Sequence, residues 1–149
     1  MKFILGCDCE GEHLKEIIKE DLVRHGYDVT DLAETPAADF IEAVKETVRN
    51  VYREDDCFGI IIDGYGAGSF MTACRMKGVV AAEVSDERTA YMTRSHNNAR
   101  ILTIGAKITG EELAKNIVHG FAEGSYAGGR HQIRVDMLNA MGKPLEDRV

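Results

Sequence analysis

Short apolar runs alternate with amphipathic segments along the chain, and this alternation restricts the possible folds more than any other feature. The apolar runs are short and rich in β-branched residues, which favours strands. The segments between them repeat apolar residues at the spacing of one helix face. The predicted strands are Met1–Cys7, Tyr27–Leu32, Phe58–Ile62, Val79–Glu83 and Ile101–Ile104. The predicted helices are His13–His25, Phe40–Tyr52, Ser69–Met76, Asp86–Arg94, Thr109–Phe121 and a last one from Gly129 to about Met141.

Strand–helix alternation at these lengths indicates βαβ units, and therefore a parallel sheet with helices on both faces. The run Phe58–Ile62 is apolar on both faces, so we expect it at the centre of the sheet. The sequence thus predicts an α/β fold, a Rossmann-like three-layer αβα sandwich with a parallel sheet of about five strands. The length of 149 residues suits one domain, with a core at 1–141 and an exposed tail at 142–149.

Several helix ends carry recognisable signals. Gly26 is expected just beyond the first helix, where a left-handed residue often ends a helix. Thr109 and Glu112 have the spacing of a capping box at the start of the fifth helix. Gly142 and Pro144 are expected to end the last helix.

The net charge of −7 argues against general binding to nucleic acid or to an anionic membrane. A small anion could still bind in a local cationic pocket. The apolar stretch Phe3–Gly6 is too short for a signal peptide, and no run approaches the roughly 18 residues that span a bilayer. We therefore expect a cytoplasmic protein. Cys7, Cys9, Cys57 and Cys74 form no C-x-x-C pair or zinc spacing, so we expect four reduced thiols and no metal.

The segment Asp63–Ser69 follows the predicted central strand and precedes a helix. Its alternating glycines, Gly64, Gly66 and Gly68, let the backbone turn sharply and point N–H groups outward. Such a loop can hold a phosphate or an oxyanion, or it can be a tight turn without a ligand. It is not a Walker A loop, and its third glycine comes one residue too early for a dinucleotide fingerprint. Glu83 does lie near the place of a ribose-binding acid, about 20 residues on.

Arg130 and Arg134 lie four residues apart, so they share one face of the predicted last helix. Two neighbouring guanidiniums repel each other unless an anion lies between them, and their planar geometry suits a phosphate. The alternative is that each pairs with a carboxylate of this acidic chain.

Two single residues are further candidates. His96 ends a predicted helix, where it could transfer a proton near neutral pH or could be only an exposed residue favoured by the helix dipole. Asp8 ends the first strand, where it would face the same crevice as Asp63 or would only cap the next helix. The remaining histidines before the last helix, to which we assign no role, are His13, His25 and His119.

Five ordered blocks of the sequence resemble a known family. The blocks are Gly6–Gly11 with Leu14 and Lys15, Gly59–Gly68, Lys77–Ala82, His96–Asn97 and Gly128–Arg134. In this order, and over the chain up to about Met141, they are similar to the ribose-5-phosphate isomerase B and galactose-6-phosphate isomerase family. Asp63–Phe70 and Glu83–Arg88 look most like the galactose-6-phosphate isomerase branch, whose enzymes pair an A with a B subunit.

The resemblance implies an aldose–ketose isomerase that needs neither metal nor cofactor. A histidine at the position of His96 would open the sugar ring, and a base would move a proton between C1 and C2 through a cis-enediolate. In single-type members the base is a cysteine at the position of Asp63, supported by a threonine at the position of Tyr65. Here both positions differ, and Cys9 also replaces a histidine or lysine.

These departures imply a division of labour between two subunits. A thiol-bearing B subunit would supply the base, while this chain would supply residues across the interface, with its C-terminal helix reaching the partner. The contributed residues are catalytic His96 and substrate-binding Asn97, Arg130 and Arg134. The remnant of the chain's own site would comprise Asp8, Asp63, Gly64, Tyr65, Gly66 and Gly68. The implied reaction interconverts galactose 6-phosphate and tagatose 6-phosphate.

Two other interpretations stay open at this point. One is a homodimeric pentose- or hexose-phosphate isomerase that uses Asp63 as its base. The other is a nucleotide-binding regulatory module of the universal-stress type, which would use the glycine loop and Glu83.

Overall fold

The computed structural model describes residues 1–141. The strands are Lys2–Cys7 (β1), Asp28–Asp31 (β2), Cys57–Asp63 (β3), Ala81–Glu83 (β4) and Ile101–Gly105 (β5). The helices are Glu12–Arg24 (α1), Phe40–Val51 (α2), Ala67–Ala73 (α3), Glu87–Asn97 (α4), Glu111–Glu123 (α5) and Gln132–Ala140 (α6), the last preceded by a 3-10 turn at Gly129–His131. No helix among these residues is long and apolar enough to cross a bilayer.

The five strands form one parallel sheet in the order β2-β1-β3-β5-β4. Every residue of β3 is buried, which confirms its predicted central place. Helices α1, α4 and α5 cover one face of the sheet, and α2 and α3 cover the other. The predicted three-layer αβα fold with a five-stranded parallel sheet is therefore confirmed.

Successive side chains of a strand point to opposite faces of the sheet, so alternate residues pack into two separate cores. On the first face, side chains of the sheet pack against α1, α4 and α5; the largest include Phe3, Leu5, Phe58, Ile60 and Leu102 from the strands and Phe121 from α5. On the second face, Ile4, Ile61 and Ile101 pack against Val44, Val48 and Val51 of α2 and Ala73 of α3.

Several predicted ends need correction. Helix α3 begins at Ala67 rather than Ser69, so Gly68 lies in a helix and not in the loop. Strand β4 begins at Ala81, because the amide of Val79 still bonds to the carbonyl of Met76. The predicted last helix divides into the 3-10 turn and α6, and the predicted tail with Gly142 and Pro144 lies outside the described residues.

The predicted capping box at α5 is wrong, whereas the predicted end of α1 is confirmed. Gly110 is the N-cap of α5 and no side chain caps it. The hydroxyl of Thr109 is buried without a hydrogen-bond partner, because residues 105–109 already turn and the Thr109 amide bonds to the carbonyl of Gly105. Gly26 follows α1 with a φ of +83°, the left-handed conformation expected there.

A buried ion pair joins α1 to β2. The Lys15 side chain is 1% exposed, and its Nζ lies 2.7 Å from Oδ2 of Asp31 and 2.8 Å from the carbonyl oxygen of Ala33. Lys19 Nζ lies 2.7 Å from the same Asp31 oxygen, and the Ala33 amide donates to the other oxygen. This cluster fixes the start of the loop over residues 33–39.

Because all strands are parallel, their ends lie along two opposite sides of the sheet. We call the side where the strands end, for example at Asp63 and Gly105, the carboxyl edge, and the side where they begin, for example at Ile101, the amino edge. Because all strands are parallel, each connecting helix starts near the carboxyl edge and returns to the amino edge. The last residues of α4 therefore lie at the amino edge, just before β5 begins.

Candidate active site

A crevice opens at the carboxyl edge of β1 and β3, where ligands usually bind in open parallel sheets. Its lining brings together most of the residues that the sequence predicted for the chain's own site; these are Asp8, Asp63, Gly64, Tyr65 and Gly68. The loop over residues 33–39 borders the same edge, because the Ala37 amide bonds to the carbonyl of Cys7 and Ala37 bridges to Asp8.

The Asp63 carboxylate is fully engaged by its own loop. One oxygen accepts hydrogen bonds from the amides of Tyr65, at 2.8 Å, and of Gly66. The other oxygen accepts from the Ser69 amide at 2.9 Å and from the Ser69 hydroxyl at 2.5 Å. Gly66 permits this turn because its φ is +76°, a conformation that favours glycine. The loop amides thus bind the chain's own Asp63 carboxylate rather than an anion from solution.

The clamped carboxylate explains the early start of α3 and leaves the loop without a free carboxylate oxygen. Asp63 satisfies amides at the beginning of the helix, which is the function of a capping residue. These three amides are consequently occupied and do not point to a ligand. A general base must reach the proton that it removes, and a buried carboxylate with four donors is poorly placed to do so.

We expect Asp63→Asn to destabilise the fold without affecting the chemistry. The asparagine amide would place its NH2 group against the Ser69 amide, which replaces a charge-assisted hydrogen bond by two facing donors. Such a loss costs about 1.5–3 kcal/mol. Urea unfolding of the purified chain measures it. The matched control is Asp86→Asn, because Asp86 is an exposed N-cap of α4 and asparagine caps helices equally well. Equal unfolding free energies for both variants would contradict the clamp.

Asp8 faces the crevice, as one of the two expectations had it, but it does not cap α1, whose N-cap is Gly11 without a side-chain hydrogen bond. It lines the crevice, and its Oδ1 accepts hydrogen bonds from the amides of Glu10 and Gly11, at 3.0 and 3.3 Å, just ahead of α1. Burial raises the pKa of Asp8 above its usual range, and the neighbouring Asp63 carboxylate adds to this, although the two amides oppose the shift. Gly11 cannot be replaced easily, since a Cβ there would lie 2.1 Å from the carbonyl oxygen of Ile62.

Lys107 and Glu10, two residues that the sequence analysis missed, also line this crevice. Lys107 lines it and forms an ion pair with Glu10, and its Nζ lies 5.7 Å from the centre of the Tyr65 ring. Tyr65 itself is 60% exposed at the rim. The neighbouring Cys7 offers no reactive thiol, because burial raises its pKa to about 11. Lys107 and Glu10 are distant in sequence, so only the fold brings them together.

The other predicted residues gather at the amino edge. The imidazole of His96 stacks on that of His131, with ring centroids 4.2 Å apart and an interplanar angle of 11°. A backbone hydrogen bond from Ala127 to the carbonyl of Ser95 holds the segment before the 3-10 turn against the end of α4. Asn97 is exposed beside His96. Sequence reasoning missed His131, because the two rings are far apart along the chain.

The two arginines share this region with the stacked imidazoles. Arg130 and Arg134 are both exposed, and desolvation together with the charges of His96, Arg130 and Arg134 lowers the pKa of His131. Within residues 1–141 neither guanidinium lies within 4.0 Å of a carboxylate oxygen. The alternative of two surface ion pairs therefore finds no support in the described part of the chain.

The predicted residues thus form two groups at opposite edges of the sheet. Asp8, Asp63 and Tyr65 lie at the carboxyl edge, where β1 and β3 end. His96 and Asn97 lie at the amino edge, where α4 ends and β5 begins. One copy of the chain does not bring these groups into a single pocket.

Comparison with known proteins identifies the family. The family model described as Ribose/Galactose Isomerase matches residues 3–138, which is most of the chain. The chain belongs to the ribose/galactose isomerase family. The family resemblance that the sequence blocks indicated is therefore confirmed.

Relatives within the ribose/galactose isomerase family are closely similar over nearly their whole length. The galactose-6-phosphate isomerase subunit LacA 2 of Streptococcus pyogenes serotype M1 is 55% identical over 141 residues, 95% of this chain and 99% of that protein. The subunit LacA of the same enzyme from Staphylococcus aureus strain JH9 is 54% identical over the same shares.

Solved structures of the family share the fold. Ribose 5-phosphate isomerase B of Thermotoga maritima has a TM-score of 0.88 and 33% identity, covering 94% of this chain and 98% of that one. The enzyme of Mycoplasma genitalium, solved with bound ribulose-5-phosphate, has a TM-score of 0.83 and 32% identity, covering 93% and 94%.

Proposed function

We propose that this chain is the A-type subunit of a galactose-6-phosphate isomerase, which interconverts galactose 6-phosphate and tagatose 6-phosphate in the cytoplasm. It works with a thiol-bearing B-type subunit of the same fold. The identity of 54–55% to subunits LacA, against 33% to a ribose 5-phosphate isomerase B, supports the choice of branch.

The observation that carries the proposal is the position of the two residue groups. His96 and Asn97 lie at the amino edge, and Asp63 is clamped by its own loop at the carboxyl edge. A working site therefore forms when the amino edge of this chain docks against the carboxyl edge of a partner whose loop carries a free base. The chain contributes its histidine and arginines to the partner's crevice.

The chemistry then divides between the subunits. His96 transfers a proton between the ring oxygen and the anomeric hydroxyl, which opens the sugar. The partner's thiolate removes the proton at C2 and returns it at C1 when the aldose becomes the ketose, and its loop amides stabilise the cis-enediolate. Because proton transfers by protein groups suffice, the reaction needs no metal or cofactor.

The exposed face of α6 supports the docking. Its apolar side chains face water in the single chain, Ile133 being 67% exposed and Met137 63% exposed. Leu138 and Met141 line an apolar groove together with Asn97, so this face adjoins the proposed substrate-binding residue. An interface core of this kind is typical of stable subunit contacts. We accordingly propose that α6 reaches the partner subunit.

The test of the proposal is isomerisation of galactose 6-phosphate by the purified chain, by the sister subunit and by their mixture. The chain alone should be nearly inactive, and mixing should raise the rate by about 100-fold or more, because a missing general acid–base typically costs this much. Strong activity of the chain alone, lost in Asp63→Asn, would instead establish the homodimeric isomerase.

The phosphate of the sugar should bind between Arg130 and Arg134, which face solvent without a carboxylate partner among the described residues. Changing either residue to Ala in the mixed enzyme should raise KM and leave kcat nearly unchanged. The expected loss is about 1.5–3 kcal/mol, typical of a charge-assisted hydrogen bond. Arg75→Ala, another exposed arginine, is the control. An unchanged KM in both variants would reject the phosphate role.

The nucleotide-binding alternative is disfavoured by the clamped loop. A phosphate would need the amides of the glycine loop, and the Asp63 carboxylate already occupies three of them. Thermal shift with ATP and NAD therefore should give no stabilisation, whereas hexose 6-phosphates should stabilise the mixed enzyme.

A further inference from the structure

A second cluster of ionisable side chains lies at the amino edge, and the isomerase chemistry does not use it. Asp21 and His25 come from the C-terminal end of α1, and His119 comes from α5, which packs beside α1. One ligand atom from each residue lies within 4.8 Å of the other two. The sequence analysis gave neither histidine a role, because they lie 94 positions apart and only helix packing joins them.

The contacts within this cluster are close. Nε2 of His119 lies 2.6 Å from Oδ2 of Asp21, and Nδ1 of His25 lies 3.6 Å from Oδ1 of the same carboxylate. The two imidazole rings also touch, with centroids 4.4 Å apart. The three side chains thus converge from two helices on one point.

The cluster is buried at Asp21 and exposed at His25, so an ion bound there would keep contact with water. The Asp21 side chain is only 8% exposed, that of His119 is 25% exposed and that of His25 is 52% exposed. Because the Asp21 carboxylate is buried, its attraction for a cation is stronger than in water. The exposed side of the cluster, at His25, leaves room for water ligands.

We propose that Asp21, His25 and His119 bind a divalent transition-metal ion of the zinc type, which ties α1 to α5 at the amino edge. Two imidazoles and one carboxylate are a ligand set that zinc accepts, with water completing the coordination. The spacing of four residues between Asp21 and His25 places both on the same face of α1.

Metal binding requires only small movements. The proton between His119 and Asp21 leaves to solvent, and the two ligand atoms separate from 2.6 Å to about 3.3 Å, as tetrahedral ligands at zinc distances require. Nδ1 of His25, which donates to the Asp21 carbonyl oxygen 2.8 Å away, must break this bond, and exchange with solvent moves the ring proton to Nε2 so that Nδ1 can bind the ion. Arg24 lies 4.0 Å from the carboxylate, but its side chain is 68% exposed and can turn away from the ion.

The experiment is calorimetric titration of the full-length chain with Zn²⁺. Cys9 and Cys74 are exposed thiols, so every protein carries Cys9→Ser and Cys74→Ser to remove competing ligands. The parent should bind one ion, and Zn²⁺ should raise its melting temperature. Changing a residue that merely supports a zinc ligand often weakens binding 10–100-fold, so removing a ligand by His25→Ala or His119→Ala should weaken it at least about tenfold.

The control is His13→Ala. His13 lies on the same helix pair and also contacts a carboxylate, that of Glu111 at 3.0 Å, but it has no second histidine beside it. This variant should bind Zn²⁺ like the parent. Because His25 is the most exposed ligand, His25→Ala should stay folded even if His119→Ala does not. Absence of Zn²⁺ binding by the parent, or unchanged affinity in His25→Ala, would overturn the proposal.

Discussion

Replacing His96 by alanine should lower kcat of the mixed enzyme by about 100-fold or more, the usual loss when a general acid–base is removed. The imidazole lies at the amino edge, stacked on His131, and is partly exposed. KM should change much less, because the arginines bind the phosphate independently of ring opening. Steady-state kinetics with galactose 6-phosphate, at fixed subunit ratio, measures both constants.

A matched control separates this effect from a general loss of a histidine. His13→Ala also removes an imidazole from a helix. His13 contacts the Glu111 carboxylate and lies in α1, far along the chain from the end of α4. This variant should keep the parent kcat. If His96→Ala changes kcat by less than about threefold, ring opening does not depend on this residue and the proposed division of labour fails.

The largest effect on stability is expected from Asp31→Ala. This change leaves the Lys15 ammonium buried with its side chain 1% exposed, and only the partly exposed Glu16 carboxylate and the Ala33 carbonyl remain as partners. Breaking a buried ion pair on one side typically costs about 3–5 kcal/mol. Urea unfolding should show this loss. Glu54→Ala, which breaks the exposed pair with Lys2, is the control and should have a far smaller effect.

The same ion pair gives stability a defined dependence on pH. Burial alone would raise the pKa of Asp31, but the Lys15 and Lys19 ammonium groups and the Ala33 amide outweigh it and lower the pKa below its ordinary value. The contribution of Asp31 is therefore fully present above the pKa of an unfolded aspartate and is lost as the pH falls through the lower, folded value. The difference in stability between parent and Asp31→Ala should narrow in that acidic range. A difference independent of pH would argue that packing, not charge, is lost.

The fold could be predicted because its signals are local. Short β-branched runs such as Phe58–Ile62 mark strands, and the alternation with helices then dictates a parallel sheet. The ends were less predictable, since they depend on competing turns. At α5 the turn over residues 105–109 directs Thr109 inward, so the capping-box pattern of the sequence does not form.

The candidate site was predictable in its composition but not in its arrangement. Asp63 next to alternating glycines indicates a special loop, but the sequence does not reveal that the carboxylate turns back onto three of the loop amides. The stack of His131 on His96 joins residues 35 positions apart in the sequence and arises from tertiary packing. The ion pair of Lys107 with Glu10 has the same origin.

The self-bound loop of Asp63 also bears on how many sites the proposed two-subunit enzyme has. In the proposed pairing, each A-type chain adds its histidine and arginines to one partner crevice, while its own crevice has no free base because the Asp63 carboxylate is bound by its loop. Two chains therefore yield one catalytic centre rather than two. Under this proposal the scarcer subunit limits turnover, and a surplus of this chain adds none. Such a stoichiometry favours balanced synthesis of the two subunits.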